Sequence, residues 1–141
     1  MADTVPAASI STDAAHRMIA AAEAKAAAIG VPMCIAVLDV GGNLKAFSRM
    51  DGAPLPSAQV AQDKAYTANG FGMPTHEWHD FIKDDAPLAA GAPTGIPRLV
   101  IFGGGYPIRV EGTAVGAIGV SGGHWSQDQQ VAEAGLAALA S

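Results

Sequence analysis

Lys64 is the residue whose type and position are hardest to reconcile with packing alone. Read as a helix at about 100° per residue, the segment from Ser57 to Asn69 puts Val60, Ala61, Ala65 and Ala68 on one apolar arc, and Lys64 falls inside it. An unpaired ammonium is costly to bury. Lys64 therefore needs a carboxylate partner, a route for its head group to water, or an anionic ligand. An ion pair with Asp39 is one solution, and carboxylate binding or proton transfer by a lysine of depressed pKa is the other.

His124 is the second candidate. It follows Gly122-Gly123, and Ser121 precedes them. Successive glycines let backbone N–H groups converge on a ligand, and the start of a helix favours negative charge. A histidine there can donate to an anion or exchange protons near neutral pH, or simply stand in solvent at a turn. Trp125 beside it reads as packing. Asp128 falls in the first turn of the following helix, where the helix dipole alone accounts for it.

His76 and His79, with Glu77 and Asp80, make the run His-Glu-Trp-His-Asp. Spacing of three residues places both imidazoles on one helical face, within reach of one ion. No third ligand is evident, so a metal site is not predicted and a solvated amphipathic turn is the simpler reading. Asp39, just before Gly41-Gly42, serves equally as an Asx-turn residue or as the partner of Lys64. Gly103-Gly104-Gly105 permits close approach to a ligand, but it opens no helix and is not a phosphate loop. Cys34 lies in an apolar strand and reads as core, and His16 lies on a helix flank.

The elements that position these residues are legible in outline. Residues 1–10 read as an irregular lead and 11–141 as one domain. A helix runs from about Thr12 to Ile29, capped by Ser11 or Thr12 and ended by Gly30 with Pro32 beyond. Met33 to Leu38 and Leu44 to Met50 are strands joined by a short glycine-rich turn, hence an antiparallel hairpin rather than the crossover of a dinucleotide fold. The Ser57–Asn69 helix is capped by Ser57 and stopped by Gly70, and a third helix spans about Thr75 to Lys83. Proline and glycine punctuate residues 84–98, which read as loop. Leu99–Phe102, Tyr106–Val110 and Thr113–Val120 are strand candidates, with Glu111-Gly112 as the last turn. Ser126-Gln127-Asp128-Gln129 reads as a capping box opening a final helix to about Ala140. Hairpins with intervening helices predict an α/β (α+β) fold, an antiparallel sheet of about five strands with helices packed on it.

Composition bounds the function. At 141 residues the chain suits one domain, which buries roughly 68% of its unfolded surface and needs no staple. A formal charge of −5, with eight scattered Lys and Arg, offers no nucleic-acid surface. No apolar run reaches the ~18 residues of a membrane span. The first residues lack the pattern of a secretory signal, and a single cysteine suits a reducing compartment, so the expected location is cytoplasmic. Only 15% of residues are charged and mean hydropathy is +0.24, which predicts a homo-oligomer that covers part of its apolar surface.

Three segments in order resemble the GlcG/HbpS-like family of haem-degrading domains: Val37–Leu44, Ala61–Ala68 and Gly116–Gly122. Gly104-Gly105-Tyr106-Pro107-Ile108, Pro74-Thr75 and the capped last helix also fit, and the resemblance covers roughly residues 9 to 140. It implies a profilin-like sheet with helices on both sides, a homo-oligomer with the ligand site near a subunit interface, and haem or another tetrapyrrole as the ligand. It also implies that Thr75 and its neighbours lie near that ligand, which makes His76 a haem-ligand candidate. Thr75, His76, Gly104, Gly105, Ser121, Gly122, Gly123 and Asp128 are thus the expected ligand-binding residues. His124 departs from the family, where smaller residues follow the serine and glycine. A cofactor-independent isomerase, lyase or cyclase acting on a small organic acid, with Lys64, His124 and Asp39 as its proton-handling groups, is the alternative function.

Overall fold

The computed structural model describes residues 1–139. Helix α1 (Thr12–Ile29) begins where Ser11 accepts from Ala14 N at 3.1 Å and ends at Gly30, whose φ of 74° closes the helix in the left-handed region. Strands β1 (Cys34–Asp39) and β2 (Leu44–Arg49) form the expected hairpin. Helix α2 (Ser57–Phe71) runs past Gly70 and stops at Gly72, the glycine with positive φ. Ser57 is not its cap: Pro56 occupies that position, and the Ser57 hydroxyl donates to Pro54 O and to Cys34 Sγ.

The expected third helix divides into a 3-10 turn (Thr75–Glu77) and a short α3 (Trp78–Ile82). The segment expected to be loop contains α4 (Ala86–Gly95), capped by Asp85 accepting from Leu88 N at 3.1 Å. Pro87 stands in the first turn, where no intrahelical donor is needed, and four of the ten residues are alanine, a strong helix former. Pro93 lies within the helix itself, so proline punctuation here did not mean the absence of a helix.

Strands β3 (Gly105–Val110) and β4 (Thr113–Ser121) complete an antiparallel sheet of four strands in the order β2-β1-β4-β3. Residues Leu99–Phe102, expected as a strand, pair with none of these strands. Val100 N donates instead to the Thr67 hydroxyl, which itself donates to Arg98 O, so a side chain of α2 satisfies main-chain groups that a strand would offer to a neighbour. Helix α5 (Trp125–Ala137) closes the fold, and Ala140, the expected helix end, lies outside the described residues.

Alternation along the strands sends side chains to two cores. Met33, Ile35, Val37, Ile118 and Val120 face α1 and α5. Cys34, Ala36, Leu38 and Ala117 face α2 through Ala61, Ala65 and Ala68. The second core is built of small side chains, which brings α2 close to the sheet. At Gly119 a Cβ would collide with Ala61 O and stand 2.6 Å from Ala65 N. Among the described residues no helix is long and apolar enough to cross a membrane.

Candidate functional site

Lys64 sits where the helical arithmetic places it, on the sheet-facing side of α2, with no exposed surface. Its partner is not Asp39. Lys64 Nζ donates to Asp128 Oδ2 at 2.7 Å and to Val120 O at 2.9 Å, and stands 5.0 Å from the centre of the Phe102 ring. Burial lowers the lysine from its ordinary range against the opposing pull of Asp128. Burial likewise raises the Asp128 carboxyl, which Lys64 and Gly123 N–H oppose.

Asp39 is occupied elsewhere. Its Oδ1 accepts from Gly41 N and Asn43 N at 3.0 Å each, so it shapes the β1–β2 turn as an Asx residue. It pairs with Gly116 on β4, four residues from the Val120 carbonyl that Lys64 reaches, a separation of roughly 13 Å along a strand.

The end of the sheet near Lys64 is crowded. A Cβ on Gly104 would lie 2.6 Å from Val120 O, 2.8 Å from Lys64 Nζ and 2.9 Å from Asp128 Cβ. Gly105 allows its backbone against Lys64 O, and its N–H donates to the buried Thr75 hydroxyl at 2.9 Å. Gly104, Gly105 and Thr75 therefore come together with Lys64 and Asp128 as one packed floor. Ser121, Gly122 and Gly123 lie to its side: Ser121 pairs with Cys34, Gly122 packs against Pro32 and Met33, and Gly123 N–H is taken by Asp128 Oδ1.

His124 is itself the N-cap of α5, a correction to the capping box expected at Ser126. Ser126 N donates to its Nδ1 at 3.2 Å and His124 N donates to Gln127 Oε1 at 3.0 Å. A neutral imidazole nitrogen accepts at a cap much as a hydroxyl does, so the serine pattern misplaced the box by two residues. The ring is exposed and rests against Trp125.

A cleft of about 440 Å³ opens beside this floor, lined by His76, His79, Asp80, Ile101, Phe102, Gly103 and Trp125. The 3-10 turn and α3 supply the imidazoles, the 96–104 strap supplies an apolar wall, and α5 supplies the indole. His76 Nδ1 is enclosed and has no hydrogen-bond partner, which leaves Nε2 as the nitrogen available to a ligand. Phe102 and Trp125 are each nearly half exposed, at 47% and 46%. No group of three or more His, Cys, Asp or Glu is placed to hold a metal among the described residues. Of the residues expected to bind the ligand, His76 lines the cleft, and His79, Asp80 and Gly103, also singled out in the sequence, join it there. Ile101, Phe102 and Trp125 were read as strand or packing residues, and the only hint of their exposure was the glycine run that follows Phe102.

Comparison with known proteins places this geometry. A family model described as haem-degrading protein HbpS-like matches residues 10–137. A 15.0 kDa protein of the dhaT–dhaS intergenic region of Citrobacter freundii is 43% identical over 129 residues, 92% of this chain and 91% of that one. The crystal structure of Klebsiella pneumoniae ORFY superposes with a TM-score of 0.94 at 35% identity, covering 100% of this chain and 97% of the other. A structure described as a PduOC–heme complex superposes with a TM-score of 0.86 at 32% identity, covering 92% and 94%.

Proposed function

This chain belongs to the HbpS-like family of haem-degrading proteins, and on that premise we propose that it binds a tetrapyrrole, haem foremost, in the cleft between His76, Phe102 and Trp125. The observation that carries the reading is His76, whose Nδ1 is enclosed and whose ring stands in the wall of an apolar, aromatic cleft. The volume falls within the range of small-ligand sites. The relative solved with heme supplies the ligand class.

The residues present fit the group. His76 and His79 are imidazole donors suited to iron, and Ile101, Phe102 and Trp125 offer apolar surface to a macrocycle. Among the described residues no Lys or Arg lines the cleft, so the ligand's carboxylates would be left to solvent. When bound, haem would supply redox chemistry at its iron, while this chain's own part is to hold a donor nitrogen and limit water. The exposed Phe102 and Trp125 also suit a homo-oligomer with its sites near an interface between copies.

In this reading Lys64 and Asp128 are scaffold. The acid–base alternative asks Lys64 to exchange protons with a substrate, yet its ammonium is enclosed and bonded to Asp128 and Val120 O. Addition of hemin to the purified protein tests the proposal. A saturable shift of the Soret band at one hemin per chain, lost in His76→Ala and weakened in His79→Ala, is expected. No saturable shift, or an unchanged one in His76→Ala, would overturn it.

A further inference from the structure

Two enclosed polar atoms near the cleft wall are left without partners, His76 Nδ1 and Gln129 Oε1. A third, Trp78 Nε1, belongs to an indole that packs edge-to-face with Phe71 and Phe81. Buried polar atoms without partners are few in folded proteins, and each one needs an explanation. The first two are complementary. A neutral imidazole carries a proton on one nitrogen, and an amide oxygen can only accept.

The direction of the Gln129 amide is set by its neighbours. Tyr106 donates its phenolic proton to Glu133 Oε1 at 2.7 Å, which leaves the phenol oxygen to accept. The Gln129 amide favours the ionised form of that same phenol against burial and Glu133, as a donor would, which turns its N–H groups toward Tyr106 and its Oε1 away. The His76 ring lies tilted against Tyr106 with centroids 5.5 Å apart. Gly103, which shares the cleft wall with His76, leaves room for this amide: a Cβ there would collide with Gln129 Oε1 and lie 2.8 Å from its Cγ and Cδ.

We propose that Gln129 is the positioning residue of His76, its Oε1 accepting from His76 Nδ1–H at the end of a chain that runs from Glu133 through Tyr106. The pairing would give both orphaned atoms a partner at once, His76 from beside the Tyr106 ring and Gln129 from behind Gly103. It holds the imidazole in the tautomer whose Nε2 lone pair is free for a ligand, the part that outer carboxylates and carbonyls play for metal-bound histidines. The inference deepens the reading of His76 as the cleft's donor and rests on it for its functional meaning.

The test uses the whole protein with no hemin added, so it stands apart from the hemin titration. Long-range ¹H–¹⁵N correlation at about pH 8, where an ordinary imidazole is neutral, reports which His76 nitrogen carries the proton. Predominant Nδ1–H in the wild type, lost in Gln129→Leu and retained in Gln129→Glu, is expected. Predominant Nε2–H in the wild type overturns the proposal, and so does an Nδ1–H signal unchanged by Gln129→Leu. If Gln129→Leu does not fold, the wild-type tautomer and the Gln129→Glu spectrum still decide. A protein with the expected tautomer that binds no hemin would refute the ligand reading and leave the pairing standing.

Discussion

Lys64 Nζ and Asp128 Oδ2 lie 2.7 Å apart with almost no solvent exposure on either side chain, joining the middle of α2 to the first turn of α5 across the end of β4. The two residues are 64 positions apart. Desolvation opposes both charges, so the pair's value lies in avoiding an orphaned ion more than in net stabilisation.

That asymmetry predicts the outcome of substitution. Lys64→Met or Asp128→Leu alone leaves one buried charge unpaired and should cost about 3–5 kcal/mol in urea unfolding. The double variant should recover most of that loss. Additive costs in the double variant would show that the two groups act independently and that the ion pair is not what matters.

Tyr106 offers a pH-dependent test. Burial first, then the hydrogen bond and negative charge of Glu133, raise its phenol well above the ordinary value of 10.0. A group whose folded pKa exceeds its unfolded one contributes stability that is fully present below the unfolded value and is lost as pH rises through the folded one. Wild-type stability should therefore fall as pH rises above 10.0, and Tyr106→Phe should fall less steeply over the same interval. Parallel slopes in denaturant unfolding would contradict this account.

His124 separates capping from chemistry. As N-cap of α5 it should be replaceable by Asn or Ser with little change, whereas His124→Ala should cost about 1 kcal/mol. Hemin affinity should be the same in all three variants, because His124 does not line the cleft. A loss of affinity at unchanged thermal stability would instead give the imidazole a part in the site.

Much of the fold was legible before any tertiary information. The Ser11 cap and Gly30 stop of α1, the hairpin around Asp39-Val40-Gly41-Gly42-Asn43, and the burial of Lys64 on an apolar helical face all follow from local rules of period, capping and turn chemistry. Local rules failed where a side chain took over a main-chain role. Thr67 absorbs the groups of the 98–100 segment and removes a fifth strand, and His124 caps a helix in place of the serine that pattern favours.

The sequence by itself determined that Lys64 would be buried and need a partner. Only the tertiary structure decided that the partner is Asp128 and not Asp39, because periodicity encodes which face turns inward and not which residue from a distant segment meets it. The same holds for the cleft. His76 was visible as a donor, but its enclosed Nδ1, the wall of Ile101 and Phe102, and Trp125 opposite come from three separate segments that meet only when the sheet is assembled.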